Sequence, residues 1–329
     1  MALYALTKFR SGHMRYCFYG AQTAKLVEAH TVVDPAPQTG ITSIAGVMPS
    51  PGLQETNNFG DVETIGSARD VAKFPGRREV TLQKRFMLTS GDFISYGLRN
   101  HAAPAAAGTV RGLQLLKLET GTGSNFTNEA EAVQLLDCLI DNWRLDFAEN
   151  QPVQVDATLF AMCKIVQPSP QAVALLADND PMLWCWASWT IAGTDYKPIL
   201  NRVSISVSNQ LTREGMRNQL GALGTGELAI SRTPLGIFPQ YEKVQVSYGL
   251  RDRLPAALEA SADWGAVTLY AEQPGTGASR KWLKVVISNN YLNRYSQNQT
   301  QSNQPLTLTA DTSSRVISVT YGASNPPGA

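Results

Sequence analysis

Three histidines, His13, His30 and His101, are the only imidazoles in the sequence, and none stands in HExxH or another metal-ligand spacing. They are expected to be surface or loop residues. Asp178-Asn179-Asp180-Pro181 brings two carboxylates close enough for acid–base work or cation binding. Asp, Asn and Pro are turn formers, and no further ligand follows at a useful spacing, so the run reads as a turn. Trp184, Trp186 and Trp189 form the kind of aromatic cluster on which a carbohydrate stacks. Trp184 and Trp186, two residues apart, also fit one buried strand face, and core is the reading adopted. There is no GxSxG elbow or GxxxxGK[ST] phosphate loop, and Gly221, Gly224 and Gly226 do not form GxGxxG. No catalytic residue, metal or cofactor is predicted, and the chain is not expected to be an enzyme.

The length of 329 residues allows two ordinary domains or one large one, either able to bury a core. Apolar residues make up 43% and charged residues only 17%, so a globular fold with a largely uncharged polar surface is expected. With 28 basic and 27 acidic residues the net charge is +1, and no Lys/Arg run exceeds a pair such as Arg77-Arg78. Binding to nucleic acid by phosphate neutralisation therefore has no support. Cys17, Cys138, Cys163 and Cys185 include no CxxC pair and read as reduced, mostly buried thiols. Lys8, Arg10, His13 and Arg15 interrupt the stretch from Met1 to Tyr19, so no secretory leader is expected. No apolar run approaches the roughly 18–20 residues of a membrane helix, so synthesis and folding are expected in a reducing cytoplasm.

A function without a catalytic constellation must reside in surfaces, and the elements that carry surfaces here come in two similar sets. Residues 62–88 and 226–250 match at Glu63 with Glu227, Phe74 with Phe238, Pro75 with Pro239 and Val80 with Val244, all 164 residues apart. Beyond the prolines, Val80, Leu82, Phe86 and Leu88 share a face with Lys84, and Val244, Val246, Tyr248 and Leu250 share a face in the second set. A period of two predicts half-buried strands. Upstream, Arg15-Tyr16-Cys17-Phe18-Tyr19 resembles Leu183-Trp184-Cys185-Trp186-Ala187, 168 residues on. Later strands are predicted at Leu135–Phe147 and Val153–Ala161 in the first half, and at Trp282–Leu292, Leu306–Ala310 and Val316–Tyr321 in the second. One helix is predicted in each half, Gly91–Asn100 and Leu254–Ala262, with Pro255 suited to a first turn. The seam falls in Gln167–Pro181, dividing the chain into 1–170 and 171–329, and Gly322–Ala329 reads as a loose tail. His101–Gly112 and Thr212–Gly226 are loops of a length that is usually functional or interface-forming.

These halves resemble the tail tube, or major tail, proteins of long-tailed phages. The resemblance lies in Glu63-Thr64-Ile65-Gly66 through Pro75-Gly76-Arg77-Arg78-Glu79-Val80, in Gly91-Asp92-Phe93, and in the run from Leu139-Ile140-Asp141-Asn142-Trp143 to Val153. The second half has Gln240-Tyr241 in place of the Arg77-Arg78 pair, so a role for those arginines has no support there. The resemblance implies a mainly β (α+β) chain of two tandem tail-tube-like β-sandwich or half-barrel domains, each with one flanking helix and long loops. It implies homotrimeric, pseudo-hexameric rings stacked into a hollow conduit for DNA in the virion tail of a non-contractile phage, assembled in the host cytoplasm. The partners it implies are further copies of the chain, a tape-measure protein, a tail terminator and baseplate or distal tail proteins, with DNA passing through unbound and no membrane involved. The ring and stacking residues expected are Arg77, Arg78, Val80, Leu82, Phe86, Leu88, Val244, Val246, Tyr248, Leu250 and the loops His101–Gly112 and Thr212–Gly226. The alternative is a two-domain β-sandwich binding or adhesive module for carbohydrates or surfaces, with the Trp cluster as its platform.

Overall fold

The computed structural model describes residues 15–26, 35–44, 46–62, 72–99, 113–122, 132–167, 180–214, 236–239, 242–274, 280–298, 307–314 and 316–322. These are mainly β, in antiparallel sheets. The first strands are β1 (Arg15–Ala21), β2 (Ser43–Ile44), β3 (Gly46–Val62), β4 (Ala72–Leu88), β5 (Leu116–Thr122), β6 (Ala132–Ala148), β7 (Gln154–Ala161) and β8 (Cys163–Gln167). They are followed by β9 (Ala187–Ile191), β10 (Thr194–Asp195), β11 (Leu200–Ser208), β12 (Leu211–Glu214), β13 (Gly236–Pro239) and β14 (Lys243–Leu250). The last are β15 (Val267–Glu272), β16 (Trp282–Ser288), β17 (Tyr291–Asn298), β18 (Thr307–Ser314) and β19 (Val316–Gly322). Two short helices, α1 (Asp92–Ser95) and α2 (Ala256–Glu259), follow β4 and β14.

Alternation puts the strands where they are. On β14 the exposed Lys243, Gln245 and Ser247 alternate with the buried Val244, Val246 and Tyr248, and β7 and β15 keep the same period. Most of the apolar faces meet in a main core, which joins Leu82, Phe86, Leu145 and Val155 to Val203, Ile205, Val207 and Val246 of the later strands.

Two layers result. One is a continuous antiparallel sheet of eight strands in the order β3-β4-β7-β6-β11-β14-β18-β17. The other consists of β2-β1-β5-β6-β8 and, separately, β10-β9-β15-β16-β19. β6 belongs to both layers, pairing with β5 and β8 through its first residues and with β7 and β11 through its last. It changes layer beside Asp137, whose φ is 50° and whose buried carboxylate accepts the Leu26 backbone N–H at 2.9 Å. The later strands change layer differently. Asn289, at φ 55°, ends β16, and the buried Asn290 donates to the carbonyls of Ile287 (2.9 Å) and Gly265 (3.1 Å) before β17 begins.

Several expectations need correction. Trp282–Leu292 is two strands in different layers, because the left-handed Asn289 breaks it. The helices are one turn each, not the longer Gly91–Asn100 and Leu254–Ala262. Gly97 ends the first against the Trp143 indole, where an added Cβ would lie 2.3 Å from the ring. Pro255 caps α2 from outside. The match of Arg15–Tyr19 to Leu183–Ala187 does not hold in space: Cys17 is buried in β1, whereas Cys185 is exposed in a tight turn before β9. Glu63, Glu227, the domain boundary at 170/171 and residues 323–329 lie outside the described residues. No helix among the described residues is long and apolar enough to cross a membrane.

Lys84 is an ionisable side chain buried in the core. It is 1% exposed, and its Nζ lies 4.5 Å from the Phe93 ring centroid and 5.4 Å from that of Phe86, with no nitrogen or oxygen partner among the described residues. Burial pushes its pKa below the ordinary 10.5, and the nearby Cys17 thiol opposes this only in part. The unfolded chain therefore binds a proton that the folded one holds less readily, so stability rises with pH up to about the ordinary lysine pKa. Lys84→Met is expected to stabilise the fold at neutral pH by on the order of 1–3 kcal/mol and to flatten that rise, as measured by denaturant unfolding across pH.

Candidate assembly surface

The eight-stranded sheet buries one face and presents the other. The presented face is polar, and its charges lie opposite one another across strands. Arg85 on β4 sits 3.4 Å from Asp156 on β7 and donates to Gln154 Oε1 at 2.7 Å. Arg144 on β6 donates from Nε to Ser204 Oγ at 2.6 Å, and Arg202 on β11 donates from Nε to Asp146 Oδ1 at 2.8 Å. The Asp146 hydrogen bond is the main reason the Arg202 pKa is raised. Solvent reaches all of these pairs, so each contributes little to stability. Their effect is local neutralisation.

The sheet ends in two open edges. β3 pairs only with β4, and β17 pairs with β18, with one further bridge from Tyr291 to Asp263, among the described residues. β3 runs for 17 residues, well beyond the usual strand of about 5–6. An edge of that length is a template for another strand unless something covers it.

A second contact links the two groups of strands. The hairpin of β12 and β13 leaves the sheet at Gln210, where φ is 47°, and its Arg213 reaches the first group. The Arg213 guanidinium forms an ion pair with Glu79, donates to Thr81 Oγ1 at 2.9 Å and stacks 3.6 Å from the Phe160 ring centroid. Asn209, at the root of the hairpin, donates to the carbonyls of Gly97 (2.9 Å) and Ile140 (3.0 Å). Asp92 forms a further tie, accepting from Tyr19 at 2.7 Å and from Tyr321 at 2.5 Å. Partial burial, then the Asp92 bond, pushes the Tyr321 pKa up to about 12.

Of the residues expected to make ring contacts, the apolar ones on β4 and β14 face inward. Val80, Leu82, Phe86, Leu88, Val244, Val246, Tyr248 and Leu250 are all buried in the core, and β4 and β14 have strand partners on both sides. Their alternation marks the hidden face of the sheet. Arg77 and Arg78 lie on the β4 backbone, where their side chains are outside the described residues, as is the loop His101–Gly112. Thr212-Arg213-Glu214 is strand rather than loop, and the rest of that segment is outside the described residues. The three histidines and Asp178 are also outside them. The tryptophans separate: Trp189 is 1% exposed, whereas Trp184 and Trp186 form a turn with Trp186 39% exposed, so they do not share a buried strand face. Sequence reasoning missed both open edges. The Asn289-Asn290 pair ahead of a polar strand was the available signal for one of them.

Neither the family models nor the curated proteins compared with this chain include a match. Arg213→Ala removes the ion pair from a part-buried Glu79, and its expected cost is about 3 kcal/mol in chemical denaturation, with the β12/β13 hairpin becoming more open to hydrogen exchange.

Proposed function

We propose that the chain is the structural subunit of a hollow tube, of the kind built by the phage tail tube proteins it resembles, and that it performs no catalytic step. The observation that carries this reading is the eight-stranded antiparallel sheet in which, among the described residues, no further strand pairs with β3 or β17 at its ends. Because eight is even, a strand added beyond β17 in antiparallel fashion runs in the same direction as β3. The β3 edge of a second copy can therefore continue the sheet by rotation about an axis along the strands, and repetition closes a ring. Three copies give a barrel of about two dozen strands, wide enough for an aqueous channel.

The pairings support a duplicated unit. β3-β4-β7-β6 corresponds to β11-β14-β18-β17, and β2-β1-β5-β6-β8 corresponds to β10-β9-β15-β16-β19. Strand register carries Leu82 onto Val246, as the 164-residue repeat predicts, and, with β5 and β15 aligned at their first residues, carries Tyr19 onto Trp189. A lumen lined by the neutralised polar face would let DNA pass without holding it, since among the described residues no cluster of unpaired cations lies on that face to release counterions. Stacked rings in a virion tail, with tape-measure, terminator and distal tail proteins at work along and at the ends of the tube, complete the reading. Trp186 is the exposed residue that favours the alternative of a carbohydrate-binding module.

Negative-stain electron microscopy tests the proposal, with rings or tubes expected and compact monomers at every salt and protein concentration counting against it. Asn293→Lys with Ser296→Lys puts two lysines on the β17 edge and is expected to leave folded monomers, seen by mass photometry with an unchanged circular dichroism spectrum. Glycan binding that is lost in Trp186→Ala, without any polymer, would replace the tube reading.

A further inference from the structure

The two strands that meet at the seam inside the chain, β6 and β11, have counterparts at the two ends of the sheet, β17 and β3. A single displacement of 152 residues carries β3 onto β11, as Leu53 onto Ile205, and β6 onto β17, as Ile140 onto Leu292. The correspondence extends to an irregularity: the register shift between Ile140 and Asn142 recurs between Leu292 and Arg294. It also extends to the hairpins, since β12/β13 corresponds to the outer end of β3/β4, where Phe59–Val62 pairs with Ala72–Pro75 beyond the reach of β7.

Inside the chain, Arg213 of the β12/β13 hairpin rests against Glu79 and Phe160, and Leu139, the strand partner of Phe160, is 6% exposed. The corresponding positions in the second group are Lys243, Ser313 and Tyr291. These three line an open groove of about 1100 Å³, and Tyr291 is 49% exposed. The first site is filled by the chain's own hairpin. The second is open among the described residues.

We infer that this groove seats the outer end of the β3/β4 hairpin of a second copy, in the register that β11 keeps with β6. In-chain pairing of Ser206 with Arg144 and of Ser208 with Asn142 translates to Gln54 of one copy opposite Ser296 of the next, and Thr56 opposite Arg294. Asp61 takes the register position of Arg213 and Lys243 that of Glu79, so an acidic and a basic residue exchange places and the pairing stays complementary. The inference rests on the tube reading but is narrower, because it fixes which residues meet.

The experiment uses the full chain with Cys185→Ser, the other three cysteines being buried. Gln54→Cys with Ser296→Cys is expected to cross-link between chains with a short bismaleimide, and far more efficiently than Gln54→Cys with Arg294→Cys. Lys243→Glu is expected to raise the protein concentration needed for assembly at least about tenfold, and Asp61→Lys added to it to restore assembly. Assemblies that cross-link through Arg294→Cys, or through Ser296→Cys alone as two β17 edges meeting, would overturn the register while leaving the tube reading intact. Monomers alone by mass photometry, before any substitution beyond Cys185→Ser, would overturn the tube reading as well.

Discussion

Seven residue pairs between β6 and β11, from Asn142–Ser208 to Ala148–Arg202, join the two groups of strands into one sheet. The continuity of the eight-stranded sheet depends on that junction. It aligns the buried faces so that one core holds both Leu82 and Val246, and it puts β3 and β17 at the far ends of the sheet. Backbone N–H and C=O groups are costly to leave without partners away from water, so a long sheet must be satisfied by solvent, by a covering segment or by another strand.

β6 does more than close the junction. It passes from one layer to the other at Asp137, so one continuous strand ties the two layers together. In the later group the same passage is made by two strands with an Asn corner between them. The corners differ in covalent continuity but share a left-handed residue and a buried polar side chain that satisfies nearby backbone.

Much of the fold is legible in the sequence because period-two alternation is a direct record of which face is buried. Val80 to Leu88 and Val244 to Leu250 read as strand faces for that reason, and the structure has them as such. Lys84 falls on the apolar face in the pattern, and it is buried there. What the pattern cannot carry is which edge of a strand is paired, because hydrogen-bonding direction leaves no mark on side-chain type. The central strands β4 and β14 accordingly look like contact strands until their partners are known. The hairpin contact of Arg213 with Glu79 joins residues 134 apart and has no local signature at all. The helices look longer in sequence than they are because short apolar stretches followed by Gly97 or preceded by Pro255 satisfy helical spacing for only a turn.

The seam held within one polypeptide has a kinetic consequence. β6 and β11 meet at an effective concentration set by the connecting chain, whatever the protein concentration in solution. In the three-copy ring proposed above, three of the six junctions would form as the chains fold, leaving three encounters to diffusion. Dilution would act on those three alone.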